Sequence, residues 1–163
     1  MSAGDVTVIV EESAWKKSGV TPARVKAAAR LALGAPPNAG AEKRSASRLT
    51  ILLSSDAHLR LLNAQFRGKD SPTNVLSFAA PGDDDYLGDV AIAFGVTSRE
   101  SAASGVSLEA HTLHLAVHGV LHLLGYDHVR SREARMMERL ETAILADLGI
   151  SNPYKAARHK NHK

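Results

Sequence analysis

The chain has 163 residues, 44% of them hydrophobic, with 20 Lys and Arg against 17 Asp and Glu for a formal net charge of +3. That length predicts one domain around a single core. The mild basic balance admits a nucleic acid as partner, while an aromatic content of 4% argues against a surface built on base stacking. Cysteine is absent, which excludes a disulfide framework, a thiolate metal site and a cysteine nucleophile. With no signal-like start and no apolar run approaching the roughly 20 residues that span a bilayer, a soluble cytoplasmic protein without membrane contact is expected.

In chain order, Val6 to Val10 (VTVIV) is rich in β-branched residues and reads as the first of four strands. Thr21 and Pro22 form an N-cap and first-turn proline for a helix over 22–33, stopped by Gly34. Residues 35–47, rich in Pro, Gly, Ser and charge, read as a mobile loop. LTILL (49–53) has little polar alternation and is expected inside the sheet. Asp56 is placed as the cap of a helix bearing Leu59, Leu62 and Phe66 and ending at Gly68. The basic turn FRGKDSPTNVLSF then leads into a strand at 74–78. After an acidic loop at 81–85, LGDVAIA (87–93) should return as a hairpin partner.

Ser107 caps a helix that is apolar on nearly every side, hence central and buried. Ser131 is placed as the cap of a last helix with Met137, Leu140, Ile144 and Leu148 facing inward and Arg132, Arg135 and Arg139 on a solvated face. The order β-α-β-α-β-β-α-α predicts an α+β fold: a small mixed four-stranded sheet packed with helices, the central one binding metal. Residues 1–153 are expected to form one metal-dependent hydrolase domain, and 154–163 a basic flexible tail.

The chemistry concentrates in EAHTLHLAVHGVLHLLGYDH (109–128). His118 and His122 lie four residues apart, so on a helix both imidazoles leave one face a turn apart. Gly125 can end that helix in the left-handed conformation. The chain can then turn so that His128 joins them, giving three neutral nitrogens for one Zn²⁺ per chain, with a fourth position left open. Imidazole also suits Cu, Fe and Ni.

His-x3-His-x2-Gly-x2-His is the ligand spacing of metzincin peptidases, whose general-base Glu follows the first His. Gly119 stands there and cannot accept a proton. A glycine within a strong helix implies close approach to its backbone, by the substrate's phosphodiester or a water, or alternatively by a neighbouring strand. His114 is placed beside the ligands or in the core. Asp127 either accepts the second ring N–H of a ligand histidine or is a plain turn residue.

HGVLHLLGYDH (His118 to His128), FRGKDSPTNVLSF (Phe66 to Phe78) and LGDVAI (Leu87 to Ile92) together resemble the YbeY family of metal-dependent endoribonucleases and rRNA maturation factors. The resemblance implies zinc-dependent cleavage of single-stranded RNA, maturation of the small-subunit rRNA 3′ end, and ribosome quality control. It implies His118, His122 and His128 as zinc ligands, Arg67 as the catalytic arginine, and Asp89 as a contact for a ribosomal protein of the small subunit.

On physical grounds Arg67 could neutralise charge growing on a phosphate, or be a loop arginine tied to Asp70 or to a helix end. Two other functions stay open. One is a metallopeptidase-like hydrolase using Glu109 or Asp127 as a displaced base. The other is a non-catalytic ribosome-assembly factor in which zinc only ties the helix end to its loop.

Overall fold

Four apolar runs pair into one sheet because each carries the branched, water-shunning side chains that fill a pleated surface. In the computed structural model, which describes residues 4–36, 47–80, 85–127 and 129–154, β1 (Gly4–Val10), β2 (Ser47–Ser54), β3 (Val75–Ala79) and β4 (Tyr86–Ala93) lie in the order β1-β2-β4-β3. β1, β2 and β4 run parallel, and β3 closes the edge antiparallel to β4, with Val75 opposite Ile92 and Phe78 opposite Asp89. The expected interior place of LTILL is found: Leu49, Ile51 and Leu53 are buried on the central strand β2.

Helices cover both faces. A parallel pair needs a crossover, and α1 (Pro22–Leu33) supplies it between β1 and β2, with Thr21 Oγ1 accepting from Arg24 N and Pro22 in the first turn. Val25, Ala28, Ala29 and Ala32 bury the inner side of α1 in the main core, alongside Leu49, Ile51, Leu53, Val90 and Ile92. α4 (Leu108–Leu123) lies on the same core, joined by the buried side of α5 (Ser131–Asp147). On the opposite face α2 (Asp56–Arg67) shields a smaller cluster of Leu59, Leu76, Ala91 and Ala93. No helix among the described residues is long and apolar enough to cross a membrane.

Three local expectations are corrected. A further helix, α3 (Phe94–Ser104), follows β4 directly where the sequence showed no amphipathic stripe. Ser55, not Asp56, caps α2, its hydroxyl accepting from His58 N at 3.1 Å. Asp56 instead reaches α3, accepting from Val96 N at 3.0 Å and pairing with Arg99 at 3.1 Å. At α5 the cap position is Arg130, with no side-chain hydrogen bond, and Ser131 is already the first helical residue. Most of the loop at 35–47, nearly all of the acidic loop at 81–85, and the tail beyond Tyr154 lie outside the described residues.

Candidate metal centre

α4 begins where Ser107 Oγ accepts from Ala110 N at 3.0 Å, as the sequence indicated. Thr112, Leu113, Leu115, Ala116, Val117, Val120 and Leu121 are buried, so the helix threads the core and leaves one side for His111, His114, His118 and His122. Its last turn closes through Gly125, which has φ 97° and donates its N–H to His122 O at 3.0 Å. Tyr126 then folds back, its N–H on Leu121 O at 3.0 Å and its hydroxyl on Pro36 O at 2.6 Å. Burial raises the Tyr126 hydroxyl pKa above its ordinary value.

This turn sets the second histidine. His122 Nδ1 lies 2.8 Å from the carbonyl oxygen of Tyr126, an acceptor, so the ring proton sits on Nδ1. His118 Nδ1 meets another acceptor, Glu141 Oε2 of α5, at 2.7 Å. Both Nε2 atoms are thereby left as lone-pair donors, and they face each other at 3.0 Å. Two such lone pairs repel unless a proton or a metal cation lies between them. Two nitrogens of a tetrahedral site with bonds of about 2.05 Å would stand about 3.3 Å apart, so the pair fits a transition metal closely. His128 follows two residues after Tyr126 and lies outside the described residues; among those described, no three His, Asp or Glu side chains gather as a complete metal site.

The sequence reading missed Glu141. Its side chain is 1% exposed, on the stripe that also buries Met137, Ile144 and Leu145. A charged residue in an apolar stripe was the available signal, since a buried carboxylate needs donors. Burial by itself would raise the Glu141 pKa. The hydrogen bonds from His114 and His118 outweigh it and hold the carboxyl down at about 2. His114 Nε2 lies 3.3 Å from Glu141 Oε2 and 3.3 Å from the Tyr154 hydroxyl, so this histidine touches the carboxylate that orients His118. Asp127 is exposed on the turn after Tyr126.

The other predicted residues lie apart from the histidines. Arg67 ends α2 on the opposite face of the sheet, exposed and without an ion pair among the described residues. Asp70 is taken by Arg60, with Arg60 Nε on Asp70 Oδ1 at 2.7 Å, so the pairing considered for Arg67 is not made. Phe66, just before it, sets its ring against Phe78 of the edge strand with centroids 5.2 Å apart. Asp89 also faces away from α4. Its carboxylate accepts from the Tyr86 hydroxyl, which also bonds Thr50 Oγ1 at 2.7 Å.

Gly119 corrects an expectation. A Cβ there would lie 2.5 Å from Val90 Cγ1 and 3.2 Å from Ser77 Oγ, so the close neighbour is the sheet and not a substrate. Ser77 Oγ also donates to Gly119 O at 2.9 Å, fixing the helix to β3.

The family model described as "Endoribonuclease YbeY" matches residues 11–149. Curated relatives of that name include one from Rhodopseudomonas palustris, 45% identical over 90% of this chain and 79% of its own length. Another, from Rhodospirillum rubrum, is 47% identical over 80% of this chain and 70% of its own. In Pseudomonas putida the relative is 52% identical over 69% of this chain and 75% of its own. Among solved structures, the solution structure of TM1509 from Thermotoga maritima has the same fold, with a TM-score of 0.55 at 20% identity, covering 95% of this chain and 93% of that one. With the match spanning strands β2 to β4, the histidine helix and all of α5, the chain belongs to the YbeY family.

Proposed function

We propose that the chain is a zinc-dependent endoribonuclease acting on single-stranded RNA, with His118, His122 and His128 holding the metal. The observation that carries this reading is the pair of Nε2 atoms facing each other at 3.0 Å while both Nδ1 atoms are committed to acceptors. Relatives named endoribonuclease, at 45–52% identity, supply the reaction class. A cation bound by neutral imidazoles alone keeps its full charge and supplies Lewis acidity towards an anionic phosphodiester.

The chain's own residues do the rest. Glu141 and the Tyr126 carbonyl fix tautomer and ring orientation, so neither histidine has to reorganise to bind. In this reading Arg67, exposed at the end of α2, is the cation that approaches the phosphate.

The peptidase reading loses the base position at 119 and the candidate Glu109. A side chain at 119 would run into Val90, so the usual position for the base cannot hold one. Glu109 sits in the first turn of α4, paired with Arg24 at 3.4 Å. It is roughly 13 Å along the axis from His118.

The finer role, cytoplasmic maturation of the small-subunit rRNA 3′ end with Asp89 contacting a ribosomal protein, rests on the family resemblance. Asp89 is compatible with it, lying half-buried on the face of the sheet away from His118 and His122.

Untagged protein should carry one zinc per chain by elemental analysis, and His122→Ala should carry none. The wild type should cut single-stranded RNA and leave an unstructured peptide intact, with cleavage lost on chelation and restored by zinc. Stoichiometric zinc in His122→Ala would break the ligand set. RNA cleavage indifferent to chelator would break the metal mechanism.

A further inference from the structure

A carboxylate withdrawn from water must have its lone pairs filled. Glu141, 1% exposed, meets three donors: His118 Nδ1 at 2.7 Å and His114 Nε2 at 3.3 Å on Oε2, and the Tyr154 hydroxyl on Oε1. The two histidines belong to α4. Tyr154 comes from the segment after α5, beyond every block that carries the family resemblance and beyond the matched range of 11–149.

That segment is fastened back onto α5. The chain reverses at Gly149, where φ is 79°, and Ile150 N donates to Leu145 O at 2.9 Å. Asn152 Oδ1 then accepts from Tyr154 N at 2.8 Å and lies 3.5 Å from Thr142 Oγ1. The Tyr154 ring stands edge-on to His114, with centroids 5.5 Å apart and planes at 87°. Packing and hydrogen bonding therefore aim the hydroxyl at a single buried oxygen.

We propose that Tyr154 is a positioning residue of the metal centre: by filling Oε1 of Glu141 it keeps the carboxylate turned so that Oε2 holds the His118 ring. The C-terminal segment thereby becomes part of what sets metal affinity. This rests on reading His118 and His122 as ligands.

The physical consequence is directional. Without the phenol, Oε1 is a buried acceptor with no donor, and the carboxylate must rotate towards another donor. That rotation weakens its hold on His118 Nδ1–H, and with it the lone pair that His118 presents at Nε2. A phenylalanine would keep the ring contact with His114 and lose only the hydroxyl, so packing and hydrogen bonding can be told apart.

The test is a zinc competition titration against a chromophoric chelator, together with the visible spectrum of the Co²⁺-loaded protein, on wild type, Tyr154→Phe, Glu141→Gln and the double variant. Glu141→Gln should weaken zinc about 10- to 100-fold, as loss of a carboxylate behind a ligand histidine does. Tyr154→Phe should weaken it about tenfold, the worth of one hydrogen bond to a charged group, and shift the Co²⁺ bands. In the Glu141→Gln background the Tyr154→Phe loss should largely vanish, because the two groups act as one unit.

Wild-type affinity in Tyr154→Phe, or losses that simply multiply in the double variant, would overturn the proposal. Absence of any zinc or Co²⁺ binding by the wild type would instead refute the ligand reading beneath it.

Discussion

At the scale of single residues, Gly119 shows how a missing side chain can be structural. Alanine in a helix interior gains about 1 kcal/mol over glycine, and that gain would normally decide the outcome. Here the added methyl would lie 2.5 Å from Cγ1 of Val90, which is 0% exposed on strand β4. A β-branched side chain in a strand has few rotamers to escape into, and overpacking a closed core costs about 1–3 kcal/mol. Gly119→Ala should therefore melt lower than wild type, with and without zinc, and most clearly without it. A higher melting temperature would mean that Val90 gives way and that glycine is present for another reason.

Among elements, α3 is the one that sequence patterning could not find. FGVTSRESAAS carries no apolar stripe, its N-cap position Ala93 offers no side-chain acceptor, and its start is held by a residue from another helix. Asp56 of α2 accepts from Val96 N and pairs with Arg99, so it caps α3 across the fold. A cap supplied from 40 residues away leaves no local trace, which is also why Asp56 looked like the cap of its own helix.

The elements that were legible carried their signals locally: Thr21 with Pro22 for α1, Ser107 for α4, and the branched apolar runs for the four strands. Of the candidate metal centre, the histidine pair was legible from spacing and the Gly125 break from residue type. Glu141 and Tyr154 were not, because their role depends on how α5 and the segment after it pack against α4. Asp56→Ala should cost about 1–2 kcal/mol in urea unfolding, the range of a lost N-cap. Arg99→Ala, which removes a partner whose side chain is 69% exposed, should cost well under 1 kcal/mol. Equal losses from the two variants would show that the ion pair, and not the cap, holds α3.

For the whole molecule, the sheet is a partition. α4 and its histidines lie on one face, while α2, with Arg67 at its end, and the Asp89 carboxylate lie on the other. On the proposed reading, a substrate held by both the histidines and Arg67 passes round the edge strand β3, where Phe66 rests on Phe78 and Ser77 is bonded to Gly119 O. Asp89 lies one strand further in, on β4, opposite Phe78 and tied to Tyr86.

On the proposed reading, cleavage and ribosome contact are separable by substitution. Arg67→Ala removes an exposed side chain that supports no core contact, so stability should change by less than about 0.5 kcal/mol. Zinc content should stay at one per chain, and turnover of single-stranded RNA should fall about 10²–10³-fold, the usual effect of removing one charge-stabilising donor. Asp89→Asn should keep both zinc and cleavage of a short RNA and lose retention on small ribosomal subunits, which Arg67→Ala should retain. Metal content, short-RNA kinetics and co-sedimentation, measured on the same preparations, decide between these outcomes. Full cleavage by folded, zinc-loaded Arg67→Ala would remove Arg67 from the mechanism. Undiminished co-sedimentation of Asp89→Asn would leave its carboxylate with nothing to do but hold Tyr86.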